Sequence, residues 1–133
     1  EGGWLDLGGG AGFDPRDGGG AIRWELALPR LAGAALVVPI MEELFWRSFL
    51  LRWIDKPDFL ALEPARLSLR ALLIASVLFG LEHTLSFAGI LAGLAYGWLY
   101  RASGNLWAPI AAHVTTNLLL GVWVLSTGSW RFW

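Results

Sequence analysis

The sequence predicts an all-α fold, a multi-pass bundle of about four transmembrane helices, and three observations lead there. Of 133 residues 56% are hydrophobic and only 16% charged, where a soluble domain carries about a quarter charged residues. Mean hydropathy is +0.54. Apolar stretches of helix length alternate with short polar ones, the pattern of an integral membrane protein. The net charge of −1 excludes a nucleic-acid partner, and the absence of cysteine excludes disulfides, thiolate zinc sites and a cysteine nucleophile. The chain begins at Glu1 without a signal-peptide pattern, as expected of a fragment or a processed form with upstream spans missing.

Residues 1–24 contain nine of the seventeen glycines, in runs such as Gly8-Gly9-Gly10 and Gly18-Gly19-Gly20, and read as a linker or loop. Residues 25–133 form the membrane domain. Its first span runs from Pro29 to Ile54, about 39 Å at ~1.5 Å per residue, longer than a ~30 Å hydrocarbon core. Pro39 predicts a kink within it, because it lacks a backbone donor. A polar loop over 55–66 follows, then a second span from Leu67 to Leu85. The third, Phe87 to Tyr100, carries Gly89, Gly93 and Gly97 at four-residue spacing, a face that lets another helix approach closely. Tyr96, Trp98, Tyr100 and Arg101 read as an interface anchor. After the turn at 101–105 the fourth span runs from Leu106 to Leu125, with Trp130 and Trp133 in a tail at the interface. The 55–66 loop and the Arg101 turn share one side. With Arg52 and Arg70 that side counts five cations against four, favouring it as cytoplasmic.

Ionisable groups inside such spans are costly and mark function by default. Glu42, Glu43 and Arg47 interrupt the run from Leu31 to Ile54. His83 and His113, the two histidines of the chain, lie in or at the end of later spans. At about 100° per residue Glu43 and Arg47 lie ~40° apart, so they form an intrahelical ion pair with a structural role. Glu42 lies ~140° from Arg47 and needs another partner. With Trp46 one turn along, its surroundings are partly apolar, a setting that suits a general base or acid. His113 and Asn117 share one helical face and both can donate to an oxyanion. His83, on another helix, can join Glu42 in activating water. Zinc is conceivable from Glu42, His83 and His113. No His-Glu-x-x-His spacing supports it, so neither metal nor other cofactor is expected. Read blandly, each histidine and Asn117 is a helix-to-helix hydrogen bond.

Taken together, Glu42-Glu43-x-x-x-Arg47, Phe79-x-x-x-His83 and His113-x-x-x-Asn117, in this order on successive spans, resemble the CPBP family. These are the CAAX-processing and bacteriocin-processing intramembrane endopeptidases. The wording from Pro39 to Arg47 and the Trp-rich end are similar to the CAAX prenyl protease-related branch found alongside exosortase systems. The resemblance implies a glutamate-dependent protease in which Glu42 and His83 activate water. His113 and Asn117 would form the oxyanion hole, with Glu43 and Arg47 as further motif residues. Members usually carry more spans than this chain.

The leading expectation is therefore an intramembrane endopeptidase acting near a membrane-embedded or lipidated C-terminal segment. Its partners would be membrane lipid and a membrane-anchored protein or peptide substrate, and its location the plasma membrane in a bacterium. A non-catalytic membrane adaptor or immunity protein of the same fold is the alternative. A proton-coupled carrier would use Glu42, His83 and His113 as a relay, but the internal repeats common in carriers are missing.

Overall fold

The apolar run in the first half of the chain builds one long helix, α1, over Trp24–Asp55. The computed structural model describes residues 12–133, so the start of the glycine-rich stretch lies outside the described residues. Along α1 the backbone loosens into π-helical turns at Gly33–Val37 and Leu44–Leu51. Just before Pro39, the expected kink site, the helix changes register. Val38 N donates to Gly33 O, five residues back. In the same register Pro39 would serve Ala34 O, but proline has no N–H to give. Asn117 Nδ2 supplies the missing donor, 2.9 Å from Ala34 O.

The polar end of α1 is tied to the next helix, α2, over Leu69–Glu82. Ser68 caps α2 by accepting from Ala71 N at 3.0 Å, a bond that satisfies one of the orphan donors of the first turn. Asp55 then accepts from both Ser68 N and Ser68 Oγ at 2.6 Å. Arg52 holds the intervening loop through Leu62 O and Leu60 O, both at 3.0 Å. At the far end of α2, His83 leaves the helix with φ −95° and ψ 143°. Helix α3 (Ser86–Ser103) returns antiparallel, stopped by Gly104 at φ +63°, and α4 (Trp107–Thr127) ends at Gly128, φ +68°.

The glycine face of α3 packs as its spacing predicts, against α2. A Cβ at Gly93 would lie 3.0 Å from Ser76 Cα, and one at Gly89 would lie 2.9 Å from Gly80 Cα. Tyr96 and Tyr100 follow the same face inward. Both are buried, so they are core residues and not the interface anchors their composition suggested, whereas Trp98 is exposed. The reason is phase: steps of three and four residues place both tyrosines beside Gly93 and Gly97. Leu51, Leu72 and Tyr100 build one core cluster, and Trp46, Phe79 and Tyr96 a second.

Helices are the regular structure of the described residues, with one isolated bridge between Arg16 and Ile22. Two helices, α1 and α4, are long and apolar enough to cross a membrane. At 14 residues, α2 is shorter than expected, about 21 Å long at ~1.5 Å per residue. The cap at Ser68 and the extended backbone of His83 fix its ends. Apolar side chains face outward along the bundle, Leu73 and Val77 on α2 and Leu119 and Val122 on α4 among them. Residues 12–23 run beside the tail: Phe13 N donates to Trp133 O at 3.0 Å, and Arg16 lies over the Trp130 ring.

Candidate active site

Three helices carry the polar residues to one place. Glu43 is fully buried, Arg47 is 3% exposed, and Arg47 Nε meets Glu43 Oε2 at 3.1 Å. This is the intrahelical pair expected from the four-residue spacing, and it lowers the cost of burying either charge alone. The guanidinium also donates to Gly93 O at 3.2 Å and lies over the rings of Phe79 (4.4 Å) and Tyr96 (5.4 Å). Absence of a side chain at Gly93 thus serves two contacts, α2 and Arg47.

Glu43 has a second partner that its own helix does not reveal. Its Oε1 lies 2.8 Å from His113 Nδ1, joining α1 to α4. The imidazole of His113 is also stacked on Tyr96, centroids 4.7 Å apart. Glu43 therefore fixes the orientation of His113 as well as pairing with Arg47, much as a carboxylate behind a reactive histidine does. Glu42 points away from Arg47, as helical phase requires, into the space between the two histidines. Its Oε2 lies 3.8 Å from His83 Nε2 and 3.7 Å from His113 Nε2. That oxygen is buried and has no hydrogen-bond partner among the described residues. His83 Nδ1 is 2.7 Å from Phe79 O. A carbonyl only accepts, so Nδ1 carries a proton there and Nε2 is the ring nitrogen that faces Glu42.

Both histidines and Asn117 line a cavity of about 580 Å³, together with Tyr96 and the apolar Leu85 and Leu120. A volume of that size suits a ligand or a short peptide segment. Asn117 gives one amide hydrogen to Ala34 O, and the amide carries a second. Glu82, beside His83, is exposed. Among the described residues no group of three His, Asp or Glu side chains is arranged to hold a metal ion. Glu42, His83 and His113 converge, but their closest approaches are the two separations of 3.7 and 3.8 Å.

Sequence reasoning missed the Glu43–His113 contact, the stacking of Tyr96 on His113 and the bond from Asn117 to Ala34. Tyr96 had a signal in its three-residue step from Gly93. The other two span 70 and 83 residues, a separation on which helical periodicity is silent.

Apolar helices enclosing a carboxylate pair, an arginine and two imidazoles beside one cavity define a helical bundle with a polar centre. The chain matches the family described as Type II CAAX prenyl endopeptidase Rce1-like over residues 24–119, and it belongs to that family. The family is one of proteases and of membrane proteins, and the matched segment contains every polar residue of the centre. No curated protein and no solved structure matches the chain.

Proposed function

We propose that this protein is an intramembrane endopeptidase that hydrolyses a peptide bond near a membrane-embedded or lipidated C-terminal segment. A water between Glu42 and His83 gives its proton to Glu42 and attacks the scissile carbonyl carbon. His83 Nε2 orients that water. The carbonyl oxygen becomes an oxyanion that His113 Nε2 and the second Asn117 amide hydrogen receive as donors. Glu43, balanced by Arg47, is the counter-charge when His113 carries both protons. Glu42 then passes its proton to the leaving amine as the C–N bond breaks. All four helices lie in the membrane in this reading, short α2 reaching only partway and bringing His83 to depth.

The observation that carries the reading is the meeting of Glu42 Oε2 with the Nε2 atoms of His83 and His113 at 3.8 and 3.7 Å. Two imidazoles beside a carboxylate are groups that move protons. The adaptor reading draws on Asn117, whose bond to Ala34 O is the helix-to-helix contact a packing residue makes. The deciding experiment is cleavage of a lipidated peptide by the purified protein in lipid, with products identified by mass spectrometry. Metal analysis and exhaustive chelation accompany it. We expect a single cut near the lipidated residue that survives chelation. Stoichiometric metal with activity restored only by its return would reassign Glu42, His83 and His113 as ligands; no cut in any lipid would favour the adaptor.

A further inference from the structure

His113 is held on more sides than a hydrogen bond requires. Glu43 meets its Nδ1 at 2.8 Å, but one bond fixes one atom. The last torsion of a histidine side chain is broad, which leaves the ring free to swing about that contact and carry Nε2 away from Glu42. Tyr96 removes this freedom. Its ring lies against the imidazole with centroids 4.7 Å apart and planes 21° from parallel, and Phe79 meets the imidazole in a T-shape at 6.0 Å. Tyr96 is itself locked. It is buried, packs against Phe79 at 6.5 Å with the rings 80° apart, and has the Arg47 guanidinium over its face at 5.4 Å. Trp46 in turn abuts Phe79 at 5.6 Å. One ring from each helix, Trp46, Phe79, Tyr96 and His113, thus forms a line across the bundle that ends on the imidazole. His83 is held differently, since Phe79 of its own helix supplies both the carbonyl at Nδ1 and the neighbouring ring.

We propose that Tyr96 is a positioning residue for His113: its flat face sets the plane of the imidazole and keeps Nε2 aimed at the Glu42 side of the cavity. The inference rests on the protease reading and adds to it the residue that holds one oxyanion donor at its angle. Such donors act because they are aimed before charge develops, and a misplacement of about 1 Å can cost about 10²-fold in rate. Glu43 sets where the ring is anchored and Tyr96 sets how it is turned. The face of the ring does this, and the tyrosine hydroxyl is not needed for it.

The test uses the full chain in detergent, one S-farnesylated peptide, and the nitrogen NMR signals of isotopically labelled histidine, assigned against His83→Gln. Tyr96→Phe keeps the face, whereas Tyr96→Leu and Tyr96→Met keep an apolar side chain and remove it. Melting curves establish which variants are folded before rates are compared. Without the face, kcat should fall by roughly 10–100-fold with KM close to the parent's. The His113 ring signals should split or broaden there, while those of His83 stay in place. Tyr96→Phe should keep most of the turnover and a single set of His113 signals. Parental kcat or unmoved His113 signals in a folded leucine or methionine variant would overturn the proposal. So would a loss expressed in KM alone, which would make Tyr96 only a wall of the cavity. A phenylalanine variant as slow as the leucine one would overturn it by placing the effect in the hydroxyl, and several sets of His113 signals in the parent would do so whether or not any variant folds. Split His113 signals in the variants, with no cleavage by the parent, would keep the positioning role and remove the protease; cleavage by the parent with unmoved His113 signals would do the reverse.

Discussion

Two polar clusters of the molecule use the same residue types to opposite ends. At the loop end Arg52, Asp55 and Ser68 join α1 to α2, and the Asp55 carboxylate has both oxygens bonded at 2.6 Å. There Asp55 accepts from Ser68 and Arg52 donates to loop carbonyls, so the cluster fixes geometry. Around Glu42 the bonding stops short. Glu43 is shared between Arg47 and His113, while Glu42 Oε2 stays buried and unbonded between two imidazoles. The difference is one of commitment: both Asp55 oxygens are engaged by Ser68, whereas Glu42 Oε2 faces only the two imidazole edges, at 3.7 and 3.8 Å.

The comparison breaks most sharply at Glu42. Glu42→Gln should reduce peptide cleavage by about 10²–10⁴-fold, the range for loss of a general base, and leave the melting temperature near that of the parent. Full turnover in that variant would make Glu42 another structural acid like Asp55. Next comes Arg47→Ala, which strips a buried Glu43 of its counter-charge. We expect a loss of about 3–5 kcal/mol, read by chemical denaturation in detergent micelles. A stability equal to the parent's would mean that Glu43 is neutral or satisfied by His113 alone.

Asn117 belongs to both clusters in character, and a double variant separates its two roles. Asn117→Leu leaves Ala34 O without a partner and should cost about 1–3 kcal/mol, in addition to lowering kcat. Pro39→Ala restores a backbone donor close to that carbonyl, so the double variant should regain much of the stability and none of the turnover. Recovery of both would reduce Asn117 to packing. The smallest effect is expected at the joint: Asp55→Ala should cost about 1 kcal/mol, the scale of a capping interaction, with KM and kcat within twofold of the parent at a temperature where it is folded.

The glycine face of α3 and the Glu43–Arg47 pair were legible from spacing, because both obey the helical repeat. The phase separating Glu42 from Glu43 was legible for the same reason, although it named no partner for Glu42. What spacing could not reveal is the register change at Gly33–Val37. A π-helical turn depends on which carbonyl finds which donor, and here one donor comes from a residue on a distant helix. The inward turn of Tyr96 was misread because aromatic clusters near a span end signal an interface by composition, and composition carries no phase. The length of α2 escaped too, since the span was drawn on past Glu82, His83 and Thr84 to Leu85 while the backbone of His83 turns out of the helix.

The shared Glu43 also imposes an order on biogenesis. Arg47 lies on its own helix and is available as soon as α1 is made, whereas His113 follows 70 residues later. At synthesis rates of about 5–20 residues per second, that interval lasts roughly 4–14 s. During it Arg47 is the partner available to offset the Glu43 charge. Only when α4 arrives does Glu43 acquire its second partner, so the contact that joins α1 to α4 is completed last.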